Sequence, residues 1–496
     1  MLFNSPEFLF AFLPLVLGVF AWLDRRRPAS WGFAWLALAS IFFYAWWRPV
    51  YAPLLLGSIA VNFGLGRLLA GPRRRRGLLA LAVGANLALL GVFKYAGLAV
   101  RSVNGLLGAD LPVPDIVLPI GISFFTFQCI AYLVDVAREG RAEGSPVRFA
   151  LFVSFFPQLI AGPIVHHKEV LPQFTARAGR RLSAHDGAVG LTFFVMGLFK
   201  KVVLADSLAG WATPQFDAVA AGQALGAAQG WLGVLAYSFQ IYFDFSGYSD
   251  MAIGLGRLFG IRLPENFASP YQASGPIDFW RRWHRTLSRF LRDYLYIPLG
   301  GNRRGRGRRY GNLMATMVLG GLWHGASWNF ALWGGFHGLL LVANHGWRAL
   351  RRRAAGGEVS SAAAGAWGLH TARALTFLAV SVAWVPFRAA DLPSAGRMLG
   401  ALVGAHGALA GPPIAEPGVA LAWLCTCLAI VWGLPNSQTW MRRFEPILGS
   451  PPAAPAGWRR HLAWRPSPGW AVAVSAGLAL CLLRLSRVSE FIYFNF

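Results

Sequence analysis

Apolar runs of roughly twenty residues recur along the whole chain, and short arginine clusters separate them. A helix needs about 20 apolar residues to cross the hydrocarbon layer of a bilayer. Runs of that kind lie near 8–23, 31–47, 52–70, 77–99, 116–136, 147–162, 186–210, 230–256, 311–328, 329–346, 367–387, 393–405, 418–434 and 469–486. Inside lipid, each backbone N–H and C=O must find a partner within the protein. The pattern therefore predicts an all-α polytopic membrane protein. Roughly eleven to thirteen membrane helices are expected, with re-entrant and interfacial helices among them.

Composition narrows the class further. The chain is 55% hydrophobic and only 14% charged, against about 25% charged in ordinary soluble domains. A soluble protein could not cover its exterior with so few polar groups. The formal charge of +25 does not point to nucleic acid, because the arginines sit in short clusters between apolar runs. That is the positive-inside pattern of membrane proteins. Arg25 to Arg27, Arg73 to Arg76, and Arg138, Arg141 and Arg148 mark cytoplasmic loops, which places the N-terminus outside. Arg442, Arg443, Arg459, Arg460 and Arg465 precede the last run, and Arg484 and Arg487 follow it, so the C-terminus is also expected outside. The start lacks a basic leader and a small-residue cleavage site, so no cleavable signal peptide is expected.

Cys129, Cys425, Cys427 and Cys481 all fall in apolar runs and suggest neither a disulfide framework nor a zinc site. The adjacent His166 and His167 point their side chains in different directions, and no bound metal is expected. Two stretches break the spanning pattern. FFPQLIAGPIVHHKEVLPQF (155–174) interrupts apolar sequence with prolines and glycine. PIDFWRRWHRTLSRFLRDYLYIPLGG (276–301) reads as an amphipathic helix at the cytoplasmic interface. Trp280, Trp283, Leu287, Phe290, Leu291 and Tyr294 take one face, and Arg281, Arg282, Arg285, Arg289 and Arg292 take the other. Irregular backbone at membrane depth is tolerated only inside protein or along a wet cavity.

The segment GGLWHGASWNFALWGGFHG (320–338) places His324 in the middle of an apolar run. An ionisable group there is expensive and marks a functional site by default. The competing reading is a histidine bonded to a backbone carbonyl at a helix contact. His284, on the amphipathic segment, is the second candidate, and a solvated interfacial histidine is the alternative there. Together the two permit one imidazole to act as general base on a hydroxyl while the other holds the acyl carbonyl or the base.

PIDFWRRWHRTLSRFLRDYLYIPLGGNRRG followed by LGGLWHGASWNFALWGGFHG resembles the membrane-bound O-acyltransferase family. The similarity is to its bacterial branch, which includes the membrane subunit of alginate O-acetylation. Further motifs match in order: FNSPEFLFAFLPL, PIGISFFTFQCIAYLVDV (119–136), FPQLIAGPIVHHKEVLPQF, GLFKKVVLADSLA (197–209), YSFQIYFDFSGYSDMAIGLGRLFGI (237–261), VAWVPFRA (382–389) and PNSQ (435–438). The resemblance implies one integral membrane acyltransferase domain over 1–496, with N-terminal helices at 1–110, a catalytic core at 111–350, and C-terminal helices with an aromatic tail at 351–496. It places the family's essential histidine on His324 and the second family position on His284. It implies an inner-membrane protein that takes an acyl group from acetyl-CoA or an acyl-carrier thioester, with no bound cofactor. A cytoplasmic donor protein is one form that thioester could take. The acyl group passes to a periplasmic serine-hydrolase-like partner, which modifies an exported polysaccharide. D-alanyl or acetyl transfer to teichoic acid, peptidoglycan or cellulose is the alternative within the family. A non-catalytic transporter is the alternative outside it, although no internal repeat is visible.

Trp323, Ser327, Asn329 and His337 from the same segment are expected on a chamber wall, with Gln240 and Asp244 from 237–251. Helix–helix polar contact is the plainer reading of that last face, and Asp135 and Asp293 are expected to pair with arginines. Arg281, Arg282 and Arg285 suit either lipid headgroups or the phosphates of an acidic donor. The ending FIYFNF suits an aromatic belt at the membrane interface. Phe491, Tyr493 and Phe496 also match the F-x-Y-x-x-F terminus of a small partner in teichoic acid D-alanylation, which implies Tyr493 as an acyl relay.

Overall fold

A computed structural model describes residues 1–72, 75–176, 182–354, 366–449, 457, 463–485 and 491–492. Tyr493 lies outside the described residues, as do Phe496 and the topology arginines Arg73, Arg74, Arg459, Arg460 and Arg487. The described chain is helical, and only an isolated bridge joins Pro264 to Leu448. In chain order the helices are α1 (Leu13–Arg26), α2 (Ala29–Ala45), α3 (Ala52–Leu69), α4 (Arg76–Leu107), α5 (Ile122–Glu139), α6 (Pro146–Ser154), α7 (Phe156–Leu159), α8 (His167–Ala176), α9 (Ala184–Phe199) and α10 (Asp206–Ala220). They continue with α11 (Ala227–Leu258), α12 (Pro276–Arg282), α13 (Arg285–Leu291), α14 (Gly305–His324), α15 (Trp328–Ala354), α16 (Ala366–Arg388), α17 (Leu392–Leu402), α18 (Pro417–Gly433), α19 (Ser437–Trp440) and α20 (Pro468–Leu483).

Among the described residues, five helical segments are long and apolar enough to cross a membrane: Phe8–Arg26, Pro49–Leu69, Arg76–Leu107, Ala184–Ala220 and Trp367–Arg388. Ala29–Ala45, Pro417–Gly433 and Pro468–Leu483 are shorter apolar helices. The other apolar runs also fall on helices, and these are short, less apolar along their length, or carry buried charge. Helix α11 is long, yet it bears buried Asp244, Asp250 and Arg257. Such groups are tolerated because the helix is surrounded by protein rather than lipid.

Small residues let the central helices meet. Gly197 on α9 lies against Gly247 on α11, where a Cβ on Gly197 would stand 2.5 Å from the Gly247 carbonyl oxygen. Helices α14 and α15 form a hairpin that closes in the same way, with Gly334 set against the Met317 backbone. Without a hydrophobic drive between helices in lipid, close backbone approach of this kind supplies the packing. Between α9 and α10 the chain widens into a π-helix, Lys200–Ala205. A π turn displaces the side chains that follow it. Here Lys200 reaches Asp250 at 2.6 Å, while Lys201 reaches Asp244 and Asp206, each at 2.8 Å.

The amphipathic stretch 276–301 is not one helix, as its periodicity predicts. It breaks between α12 and α13 and then passes into a π-helix, Arg292–Tyr296. Trp283 is extended, and His284 takes the left-handed region at φ 42°. The two faces survive the break. Trp283, Leu287, Phe290 and Leu291 are buried, whereas Arg281, Arg285 and Arg292 are exposed. The stretch 155–174 also breaks, and its irregular part from Ile160 to Val165 is buried in protein. Asp135 meets Arg138 at 3.7 Å and Lys168 at 3.6 Å, and Asp293 meets Arg292 at 2.7 Å.

Candidate active site

His324 is the last residue of α14, and Gly325 leaves the helix in extended conformation. A helix end leaves backbone carbonyls without partners, and burial makes that costly. Helix α4 supplies what is missing. The Lys94 ammonium donates to the carbonyls of Trp323 and, at 3.2 Å, His324, and to Ser123 Oγ at 3.4 Å. The Tyr95 hydroxyl donates to the Leu322 carbonyl at 2.8 Å. A cation at the C-terminal end of a helix is also favoured by the helix dipole. The His324 ring is buried among Trp323 at 4.9 Å, Trp333 at 5.1 Å and Phe387 at 5.4 Å between centroids.

His284 comes to the same place from the break between α12 and α13. Its ring lies 6.3 Å from that of His324 and 6.2 Å from that of Trp323. A non-glycine residue in left-handed conformation costs about 1–3 kcal/mol and persists only where its surroundings fix it. Asn266 does the fixing. Its Oδ1 lies 3.1 Å from His284 Nδ1 and accepts from Thr286 Oγ1 at 2.9 Å, while its Nδ2 donates to Ser249 Oγ at 3.2 Å. The Arg285 N–H donates to the Asn266 carbonyl at 3.0 Å. Because Oδ1 can only accept, Nδ1 of His284 carries the proton, and in the neutral ring Nε2 holds the lone pair.

The expected chamber residues divide into groups. Trp323 belongs to the site, stacked on Phe127 at 5.2 Å and facing both histidines. Ser327 is half-buried in the bend between α14 and α15, where its carbonyl accepts the Phe330 N–H. Asn329 is buried and donates to the Ala389 carbonyl at 2.8 Å, tying α15 to the end of α16. His337 stands beyond Trp333, 4.9 Å from it, and accepts the Trp280 indole N–H at 3.3 Å. Gln240 is half-buried on α11. Asp244 makes its contacts elsewhere, with Lys201 and the C-terminal tail.

Two of the three arginines named for donor binding have acidic partners in the protein. Arg282 pairs with Asp278 at 2.9 Å, and Arg285 pairs with Glu265. Arg281 is exposed.

The tail meets α11 beside the site. The Phe491 ring is buried edge-on against Tyr248 at 4.7 Å, and the Lys201 ammonium lies 4.9 Å from its centroid. The Ile492 N–H donates to Asp244 Oδ2 at 3.1 Å. One position along the same turn, Phe245 touches His284 at 4.8 Å and Ser249 holds Asn266. Residues 244 and 248 share one helix face, and 245 and 249 the adjacent one. The tail and His284 therefore flank a single stretch of α11.

Sequence reading named the two histidines that the fold brings together, but not Lys94, Asn266 or the pairing of Lys201 with Asp244. Lys94 carried a usable signal, an ionisable residue in the apolar run 77–99. Asn266 carried none, since it lies outside every apolar run, in the irregular segment between α11 and α12.

The model of the membrane-bound O-acyltransferase family matches residues 115–359. The chain is 43% identical over 436 residues to the peptidoglycan O-acetyltransferase of Helicobacter pylori, a match covering 82% of this chain and 80% of that one. It is 43% identical over 411 residues to the probable alginate O-acetylase AlgI of Pseudomonas aeruginosa, covering 81% of this chain and 75% of that one. To the teichoic acid D-alanyltransferase of Streptococcus thermophilus it is 30% identical over 236 residues, covering 46% and 57% respectively. The chain is an O-acyltransferase, and it belongs to the membrane-bound O-acyltransferase family.

Proposed function

We propose that this protein moves an acetyl group from a cytoplasmic thioester across the inner membrane for O-acetylation of an exported polysaccharide. The observation that carries the reading is the buried pair His284 and His324, one oriented by Asn266 and the other fixed at a capped helix end. His324 acts as base on the accepting hydroxyl, or itself takes the acyl group. His284 orients the reactants with its lone-pair nitrogen. The donor is acetyl-CoA or an acyl-carrier thioester, recognised at the arginine-bearing cytoplasmic face. The termini lie on the extracytoplasmic side.

Tyr493 serves as the relay in this reading. It follows directly on Ile492, whose N–H is held by Asp244 beside the His284 face of α11. The phenol oxygen attacks the thioester carbonyl, its proton passes to His324, and the C–S bond breaks as the thiolate takes that proton. The aryl ester then faces a periplasmic serine-hydrolase-like partner, and phenoxide leaves readily. Alginate is one acceptor class. Peptidoglycan is the second, since identity to the peptidoglycan O-acetyltransferase equals that to AlgI at 43%.

The test is His324→Ala, read as O-acetyl content of the exported polymer at unchanged protein abundance. Loss of acetylation is expected. Unchanged acetylation would remove His324 from the chemistry.

A further inference from the structure

Helix α15 carries a second polar cluster beside His324. Trp333 and His337 stand one turn apart on one face, with ring centroids 4.9 Å apart and each about 1% exposed. The Trp280 indole N–H donates to His337 Nδ1 at 3.3 Å. An indole N–H can only donate, so Nδ1 is the accepting nitrogen and the neutral ring carries its proton on Nε2. That Nε2 and Trp333 Nε1 are both buried, and neither meets an acceptor among the described residues. A buried donor without an acceptor costs about 1–3 kcal/mol and is rare in native proteins. Here two occur within one helical turn, and the Trp333 ring is 5.1 Å from that of His324.

The walls of the cluster are aromatic. Phe279 lies parallel to His337 at 6.0 Å, and Trp384 stacks on Trp333 at 5.7 Å. The two N–H donors are neutral and sit in apolar surroundings. They suit an uncharged oxygen that gains charge during reaction better than a phosphate or carboxylate, whose desolvation they could not offset. We propose that Trp333 Nε1–H and His337 Nε2–H together bind the carbonyl oxygen of the transferring acyl group, a role that rests on the acyl-transfer reading above.

The electron flow fits this placement. A hydroxyl oxygen bonds to the acyl carbon, its proton passes to His324, and the carbonyl π pair moves onto oxygen. The two N–H groups stabilise that oxyanion without having to reorganise. Collapse restores C=O, breaks the C–S bond, and the leaving thiolate takes the proton from His324.

The test measures transfer from radiolabelled acetyl-CoA in membranes carrying the full chain as wild type, Trp333→Phe, His337→Leu, His337→Gln and His324→Ala. Loss of one oxyanion donor costs about 100-fold in kcat, so Trp333→Phe and His337→Leu are each expected to fall by that order with KM for acetyl-CoA nearly unchanged. His337→Gln keeps an N–H near the Nε2 position and is expected to retain most of kcat. Near-wild-type kcat in both donor-deleting variants, beside an inactive His324→Ala, would overturn the pair and leave acyl transfer standing. An active His324→Ala would overturn the underlying reading instead.

Discussion

His284 and Asn266 stand 3.1 Å apart, nitrogen to oxygen, across a break that helical periodicity does not anticipate. Asn266 also receives the Thr286 hydroxyl, and Thr286 in turn accepts the Ile164 N–H at 3.0 Å. One amide thus ties together three stretches of irregular backbone, 160–165, 264–269 and the break at 283–284. Each would be costly at membrane depth if it met lipid, and all three are held inside the protein.

The first prediction concerns that amide. Asn266→Ala removes the acceptor that sets the His284 tautomer. The lost interaction amounts to about 1.4 kcal/mol, or tenfold in rate. Asn266→Ala is expected to lower acetyl transfer by about that factor at saturating donor, whereas Asn266→Asp, which keeps the acceptor, loses less. Equal transfer rates for Asn266→Ala and wild type would remove its orienting role.

The second prediction concerns Lys94. Helix α4 buries only Ala82, Asn86, Leu90 and Lys94 among its described residues, yet it delivers a buried ammonium to the end of α14. Lys94→Met keeps the length of the side chain and strips the Trp323 and His324 carbonyls of their donor. The cost is about 1–3 kcal/mol. It is expected as a lower unfolding temperature in detergent together with reduced transfer. Lys94→Arg is expected to recover part of both. A Lys94→Met protein with unaltered melting and rate would show that the cap is dispensable.

How much of this was legible in sequence depends on the range of each interaction. The membrane class and the helical runs were legible because about 20 apolar residues state their own requirement locally. His324 was legible for the same reason, as a polar residue in an apolar run. The break at His284 was not, because residues 276–296 keep helical spacing on both faces while Asn266, from another segment, overrides it. The cap on α14 was hidden by distance, since Lys94 and His324 are 230 residues apart in the chain. The pairing of Lys201 with Asp244 depends on a π turn, which side-chain periodicity does not encode.

The last prediction concerns the aromatic tail. Phe491 packs on Tyr248 and Lys201, and the Ile492 N–H is bonded to Asp244. Asp244 is therefore a shared acceptor, holding the Lys201 ammonium with one oxygen and the tail with the other. Ile492→Pro removes the backbone N–H without touching the Lys201 pair, and is expected to loosen the tail and lower polymer acetylation. Tyr493→Phe leaves the dock intact and removes one hydroxyl. If that hydroxyl carries the acetyl group, Tyr493→Phe abolishes polymer O-acetylation and the acetyl label on the protein, while Phe491, Ile492 and the melting temperature are undisturbed. A plain membrane anchor predicts the reverse, with Tyr493→Phe fully active because a phenylalanine fills an aromatic belt as well as a tyrosine does. Measuring polymer acetylation and protein-bound label in both variants separates a dock, a relay and an anchor. The relay requires both readouts to vanish in Tyr493→Phe while docking survives.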